Sequence, residues 1–273
     1  MVLKAVKNLL SGKSQKTDAP RVPDGTRYYV VGDIHGRNDL FGRLIDAIED
    51  DDKAAPAAKT IIVLLGDLVD RGSDSAGVID AAREWQKRRE VHILAGNHEE
   101  MFLESFDDKE VLRHFLKHGG RETILSYDIT TKQYNALSVA DLFKKLPEII
   151  PQADRDFLNG FDEKLEAGDY LFVHAGINPK HSIEDQTRKD MLWIRERFLS
   201  YEGALPKVVV HGHTIFNEVE DRGIRIGIDT GAFRTGVLTA LVLEEDKRRT
   251  IQAIDESTTK GKSFTIVHED RTP

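Results

Sequence analysis

Thr60-Ile61-Ile62-Val63-Leu64-Leu65 runs directly into Gly66-Asp67-Leu68-Val69-Asp70-Arg71-Gly72. The first six residues are apolar or β-branched with little polar interruption, the pattern of a strand buried on both faces. Gly66 marks the point where strand gives way to loop. In open α/β sheets, ligands bind beyond the carboxyl ends of the strands. Asp67, Asp70 and Arg71 therefore stand where chemistry is usually done. Taken alone, the segment is equally compatible with an ordinary charged loop, and similar loops elsewhere in the chain decide the matter.

Upstream, Tyr28-Tyr29-Val30-Val31 ends in Gly32-Asp33-Ile34-His35-Gly36. A helix follows with Leu40, Leu44, Ile45 and Ile48 at helical spacing and Asn38 as its expected N-cap. Downstream, Ser73 is the expected cap of a helix carrying Val78, Ile79, Ala82 and Trp85, and Val91-His92-Ile93-Leu94 leads into Gly96-Asn97-His98-Glu99. Strand, polar loop and helix thus repeat three times, the βαβ signature of a mainly parallel sheet in an α/β fold. Residues 100–168 read as a helical, polar insertion over the sheet edge that shapes a substrate cleft, broken by Pro147 and Pro151. Tyr170-Leu171-Phe172-Val173 then ends in His174-Ala175-Gly176. After a helix near 189–198, Lys207-Val208-Val209-Val210 ends in His211-Gly212-His213-Thr214. The apolar runs 224–228, 237–243, 250–254 and 264–267 read as antiparallel strands closing a second sheet. The expected organisation is a body over 27–256, an N-terminal tail or short helix over 1–26, and a C-terminal strand and tail over 257–273.

The 273 residues suit one large α/β domain or two modest ones, and 40% hydrophobic against 32% charged residues is enough to build a core. A net charge of −8, from 39 basic and 47 acidic residues, argues against a general nucleic-acid coat. With no cysteine, disulfide and thiol chemistry are excluded, which fits the cytoplasm. No stretch approaches the roughly 18 apolar residues of a membrane span. Near the N-terminus, Val2, Leu3, Val6, Leu9 and Leu10 fall on one side of a short helix, but Lys4 and Lys7 interrupt any signal-peptide core. The residues 257–262 read as a polar, loose tail.

Five strand ends offer Asp33 and His35, Asp67, Asn97 and His98, His174, and His211 and His213. Each of these side chains can bind a metal, accept a proton, or both. A lone His or Asp at such a position is usually a cap or turn former; five of them, each beside a glycine and after an apolar strand, point to a dinuclear metal site. Mixed oxygen and imidazole donors suit Mn, Fe or Zn better than Mg or Ca. Two ions roughly 3.5–4 Å apart need a shared ligand. A carboxylate can bridge, and Asp67, after the middle strand, is the natural bridge. Asp33 and His35, two positions apart, can turn toward one ion, and Asn97, His174 and His213 can complete the other.

The ordered set Gly-Asp-Ile-His-Gly, Gly-Asp-Leu-Val-Asp-Arg-Gly, Gly-Asn-His-Glu, His-Ala-Gly and Gly-His-Thr resembles the calcineurin-like metallophosphoesterases. Asp-Arg-Gly and Asn-His-Glu are similar to the phosphoprotein phosphatase branch. Met191-Leu192-Trp193-Ile194-Arg195-Glu196 and Ile228-Asp229-Thr230-Gly231-Ala232 resemble its small bacterial and bacteriophage lambda-type serine/threonine phosphatases. The resemblance spans roughly 28–243. It implies a four-layer α/β/β/α sandwich of two mixed sheets with the active site at the strand C-terminal ends. It also implies two divalent ions, manganese foremost, one held by Asp33, His35 and Asp67 and the other by Asp67, Asn97, His174 and His213. The general acid falls on His98, its carboxylate partner on Asp70, and the phosphate-binding arginines on Arg71 and Arg195. The implied reaction is attack of a metal-bridging hydroxide on phosphorus while His98 protonates the leaving oxygen. His211 is expected to be structural and Asp229 to fix a turn. His92, His114, His118, His181 and His268 have no motif around them and are expected bystanders.

The resemblance implies a phosphomonoesterase for phosphoserine, phosphothreonine and also phosphotyrosine in phosphoproteins or phosphopeptides. The competing enzyme is a symmetrical dinucleoside tetraphosphate hydrolase. The expectation for that group is a second motif without the aspartate seen here as Asp70, and a third ending in Asp rather than Glu99. A nuclease fits the acidic balance and a terminal-phosphoryl clamp at Arg71 poorly. An inactive phosphate-binding module on the same scaffold would lack a ligand or the acid, and none is missing.

Overall fold

The computed structural model describes residues 19–256 and 264–271. The expected helix near Val2 to Leu10 and the expected loose stretch at 257–262 lie outside the described residues. Eleven strands among the described residues form two mixed sheets. In the first, β1 (Thr26–Val31), β2 (Lys59–Leu64) and β3 (Val91–Ile93) are parallel neighbours, with Val31 opposite Leu64 and Leu64 opposite Ile93. In the second, β4 (Lys164–Ala167) runs antiparallel to β5 (Tyr170–Val173). β6 (Val208–His211) lies parallel to β5, and β8 (Arg225–Gly227) lies parallel to β6 with β7 (Glu220–Asp221) antiparallel at its edge.

The last three strands depart from the sequence expectation. β9 (Val237–Glu244), β10 (Lys247–Asp255) and β11 (Phe264–Arg271) extend the first sheet, in the order β11-β10-β9-β1-β2-β3. The reason is that β9 is apolar on both faces. Leu238, Ala240 and Val242 join the core of Tyr29 and Val31, while Leu241 and Leu243 join that of Tyr28 and Val30. Such a strand belongs inside a covered sheet, and β1 had a free flank.

Period-two alternation then builds the layers. Outside the first sheet, Tyr29, Val31, Ile62 and Leu64 pack on Phe41, Leu44 and Ile48 of α1 (Asn38–Ala54) and on Val78, Ala82 and Trp85 of α2 (Ser75–Gln86). Between the sheets, Tyr28, Val30, Val63 and Leu65 meet Tyr170, Phe172, Val210 and Ile226. Outside the second sheet, Leu171, Val173 and Val209 pack on Met191, Leu192 and Phe198. Helix, sheet, sheet and helix are therefore stacked in four layers. Asp74 rather than Ser73 caps α2, accepting from the Gly77 N–H at 2.9 Å. Asn38 is the first residue of α1 rather than its cap, and its amide donates to Asp74 at 2.7 Å.

The insertion comprises α3 (Asn97–Glu104), α4 (Lys109–Phe115), a π-helical turn at Leu116–Gly120, α5 (Arg121–Leu125), α6 (Thr131–Asn135), α7 (Val139–Ile149) and α8 (Gln152–Asn159). It has its own core of Met101, Phe102, Leu112, Phe115, Ile124, Leu142 and Leu146, joined to Val69 and Ile79 of the body. Pro147 does not end α7 as expected. Leu142, Leu146 and Ile150 are buried together in this core, and their packing carries the helix two residues past the proline. Among the described residues, no helix is long and apolar enough to cross a membrane.

Phe172 is fully buried at the inter-sheet seam, its ring 5.7 Å from that of Tyr28. Phe172→Ala is expected to lower the unfolding free energy by about 3–5 kcal/mol, read from the urea midpoint. A loss below about 1 kcal/mol would mean the seam does not hold the sheets together.

Candidate active site

Every loop that leaves the carboxyl end of β1, β2, β3, β5 or β6 turns toward one small region. The first two loops are stitched by their backbones: the His35 N–H donates to the Asp67 carbonyl at 2.8 Å, Gly36 N–H to Leu68 at 2.8 Å, and Gly72 N–H to His35 at 3.0 Å. Six non-glycine residues have φ in the left-handed region among the described residues, and five of them are His35, Asp67, Asp70, Arg71 and His213. Such backbone costs of order 1–3 kcal/mol per residue and persists where surrounding structure enforces it.

The carboxylate of Asp67 lies at the centre. Its Oδ1 accepts the His98 N–H at 3.0 Å, and its Oδ2 is 3.5 Å from Nε2 of both His35 and His174. Burial opposes its ionisation, yet the rings of His174, His98, His35 and His213 hold its pKa well below the ordinary aspartate range. The backbone of this loop is pinned by Glu99, which accepts N–H bonds from Asp67 at 2.8 Å, Leu68 at 2.7 Å and Gly96 at 2.9 Å. Burial and the Asp67 charge push Glu99 up to about 7.

The histidine tautomers follow from their outer partners. His35 Nδ1 donates to the Val69 carbonyl at 2.8 Å and His174 Nδ1 to that of Leu65 at 2.8 Å. Each Nε2 then carries a lone pair aimed inward. The His174 lone pair faces Asn97 Oδ1 at 3.0 Å, and His213 Nδ1 faces the same oxygen at 2.7 Å while its buried Nε2 has no partner. Burial, with His174 beside it, pushes His213 down to about 2, so it is neutral. Asp33 accepts the His213 N–H at 3.0 Å, and burial with the neighbouring Asp229 and Asp67 charges holds its pKa well above the ordinary value. Lone pairs and carboxylates thus converge with too few protons between them. That donor set, oxygen and imidazole together, is what a pair of divalent ions would satisfy. Two triads have ligand atoms within 4.8 Å of one another, His35-Asp67-His98 and Asp67-His174-His213. They share Asp67.

Beside this centre, His98 Nδ1 donates to Asp70 Oδ2 at 2.6 Å. Burial opposes protonation of His98, but Asp67 and Asp70 outweigh it and raise its pKa. The Arg71 guanidinium donates to His35 Nε2 at 2.7 Å and to His98 Nε2 at 2.8 Å. Its flat face lies 4.7 Å from the ring centre of Phe233. Arg195 is exposed at the start of α10 (Glu196–Leu199), just after α9 (Arg188–Trp193), and its side chain has no hydrogen bond or ion pair among the described residues. Its charge is close enough to help keep His174 and His213 neutral.

Nine of the ten residues singled out by sequence are therefore packed together, and Arg195 stands at the rim. His211 is buried between Phe198 and Phe216, with Nδ1 donating to the Gly212 carbonyl at 3.0 Å. Asp229 accepts the Gly231 N–H at 2.8 Å, holding a turn. The supporting roles of Glu99, Thr123 and Phe233 were not read from sequence. Glu99 had a signal, since it closes the Gly-Asn-His-Glu motif. Phe233 follows Gly231-Ala232 and Thr123 follows Gly119-Gly120, but nothing in either spacing says what they face.

The sequence profile of the calcineurin-like phosphoesterases matches residues 26–236. The chain belongs to this family. Serine/threonine-protein phosphatase 1 of Salmonella typhimurium is 28% identical over 217 residues, which cover 77% of this chain and 89% of the relative. The asymmetrical bis(5'-nucleosyl)-tetraphosphatase PrpE of Bacillus mycoides is 26% identical over 235 residues, 79% of this chain and 89% of the relative. In fold, the chain is similar to a candidate diadenosine tetraphosphatase (TM-score 0.56, 20% identity, 92% of this chain and 98% of the other). It is also similar to the cold-active protein-tyrosine phosphatase of a psychrophilic Shewanella (TM-score 0.51, 16% identity, 86% and 81%). As a calcineurin-like phosphoesterase the protein is a hydrolase of a dinuclear-metal family, and the converging His and Asp side chains fit that dependence.

One glycine outside the family motifs is structurally constrained. Gly119, in the π-helical turn, has φ of 109°, and a Cβ there would lie 2.6 Å from the Arg71 amide nitrogen. Gly119→Ala is expected to destabilise by about 1–3 kcal/mol in urea unfolding. Gly160→Ala, where a Cβ meets only ordinary contacts from 3.4 Å, should be neutral to slightly stabilising. Equal behaviour of the two variants would contradict the close approach at Arg71.

Proposed function

We propose that the protein is a metal-dependent phosphomonoesterase acting on phosphoserine and phosphothreonine in proteins, with phosphotyrosine as a further substrate. The observation that carries this is the convergence of Arg71 and the His98–Asp70 pair beside Asp67, with 2.8 Å between Arg71 and His98 Nε2 and 2.6 Å between His98 Nδ1 and Asp70. A donor fork next to a proton donor suits a terminal phosphoryl group and its leaving oxygen.

In this reading Asp33, His35 and Asp67 hold one ion, and Asp67, Asn97, His174 and His213 the other, with manganese as the first metal to try and Fe or Zn as alternatives. When bound, the ions supply positive charge for the phosphoryl oxygens and acidify water to a nucleophile near neutral pH. Arg71 turns its planar fork to the phosphoryl oxygens, balancing charge as the transition state forms. Phe233 limits where that fork can lie. Arg195, unpaired at the rim, adds a second fork. With Arg71 turned from His98 to the phosphoryl oxygens, His98 Nε2 is free to carry a proton and give it to the departing oxygen, and Asp70, on Nδ1, orients the ring and stabilises its imidazolium form.

A second reading is a dinucleoside tetraphosphate hydrolase. Its support is that relatives named bis(5'-nucleosyl)-tetraphosphatase match as much of the chain, at similar identity, as those named protein phosphatase. Those of Bacillus mycoides and Halalkalibacterium halodurans are of the asymmetrical type.

Purified protein with added manganese should hydrolyse p-nitrophenyl phosphate and lose that activity to a chelator. Silence with every divalent metal would end the enzyme reading of this site. His98→Asn should reduce kcat on phenyl phosphate about 10²–10⁴-fold while metal content, measured by mass spectrometry of the desalted protein, stays the same. Rates on a phosphoserine peptide and on diadenosine tetraphosphate, measured side by side, should favour the peptide. The reverse order would replace the first reading with the second.

A further inference from the structure

Asp70 is wholly buried with φ of 74°, and its carboxylate has two oxygens to satisfy. One of them, Oδ2, is taken by His98 Nδ1. The other, Oδ1, accepts the hydroxyl of Thr123 at 2.6 Å. Thr123 is itself fully buried, and its Oγ1 also accepts the Asp70 N–H at 2.8 Å and lies 3.0 Å from Ser75 Oγ. The proton bookkeeping fixes the direction of the chain. With the Thr123 proton on Asp70, the Ser75 hydroxyl donates to Thr123, and every donor and acceptor in the group is used. Thr123 thus holds Asp70 at both its backbone and its side chain.

Thr123 is not on the loop it supports. It sits in α5 of the insertion, 53 positions away. The π-helical turn just before α5 grips the adjacent residue, where the Arg71 N–H donates to the Gly119 carbonyl at 3.2 Å. One short piece of the insertion therefore fixes both Asp70 and Arg71.

We propose that Thr123 is a positioning residue for phosphoryl transfer, locking the Asp70 carboxylate so that His98 presents its Nε2 proton to the leaving oxygen. The proposal rests on the assignment of His98 as the acid. Without the hydroxyl, the carboxylate is free to rotate about Cβ–Cγ, and His98 loses the fixed acceptor that sets its ring plane. Outer partners of this kind are worth about 10–100-fold in activity.

The test is Thr123→Val, which keeps the shape and removes the hydroxyl, assayed with manganese on phenyl phosphate and on 2,4-dinitrophenyl phosphate. Phenolate leaves poorly and needs the proton; dinitrophenolate needs it far less. The expected result is a fall in kcat of about 10–100-fold on phenyl phosphate, a clearly smaller fall on the activated ester, and little change in KM on either. Thr123→Ser should restore most of the loss. In a His98→Asn background, Thr123→Val should add almost nothing, because the group it positions is gone. An equal loss on both esters, or losses that simply multiply in the double variant, would overturn the proposal and leave Thr123 as a packing residue. If His98→Asn itself keeps full activity on phenyl phosphate, the acid assignment fails first, a separate outcome. Should Thr123→Val not fold by circular dichroism, Thr123→Cys, with its weaker donor, carries the same comparison of esters, and no difference between the two esters would count against the proposal.

Discussion

Taking the Asp67 carboxylate out of water costs several kcal/mol unless charge and hydrogen bonds meet it inside. The surrounding structure can be read as the answer to that cost. Four imidazoles surround it, the His98 N–H donates to it, and the loop behind it hangs from Glu99. The solution is incomplete in the protein's own groups. Burial first, and then the neighbouring carboxylates, Asp229 and Asp67 for Asp33 and Asp67 for Glu99, push the pKa values of Asp33 and Glu99 up. A site built this way is short of positive charge, and divalent ions are the natural remedy for a hydrolase of this family.

The same requirement explains the strained backbone. Side chains from five loops have to reach a common point, and ordinary extended or helical dihedrals at His35, Asp67, Asp70, Arg71 and His213 would aim them elsewhere. The stitching of the first two loops through Asp67, Leu68 and His35 carbonyls, and the grip of the insertion on Asp70 and Arg71, supply the enforcement. The inter-sheet seam around Tyr28 and Phe172 is the rigid base beneath those loops.

Much of this was legible in the sequence because it is local. Residues 60–72 announce a buried strand followed by a functional loop, and the uninterrupted apolar runs at 28–31 and 170–173 announce further strands. What failed was non-local. Nothing near 237–243 says that its partner is β1, and proximity in sequence to 224–228 suggested the other sheet. Helix starts were off by a residue, since Asp74 rather than Ser73 caps α2 while Asn38, already inside α1, donates across to Asp74. Pro147 carried a strong local signal that burial of Leu146 and Ile150 overrode. The metal-ligand types were readable from motifs. The supports at Thr123 and Phe233 were not, because their meaning lies only in which distant atom they touch.

The position of β9 beside β1 also bears on how the chain folds. The two strands are clamped at one end by Arg27 and Glu244, 217 positions apart. β1 emerges before β9, and its flank stays open until the strand that holds Glu244, 217 positions after Arg27, has been made. Long-range pairings of this kind slow folding and leave a hydrophobic edge waiting. During that interval the β1–β2–β3 ribbon, with its first-made ligands, is the vulnerable species: a half-built sheet that a chaperone would shield.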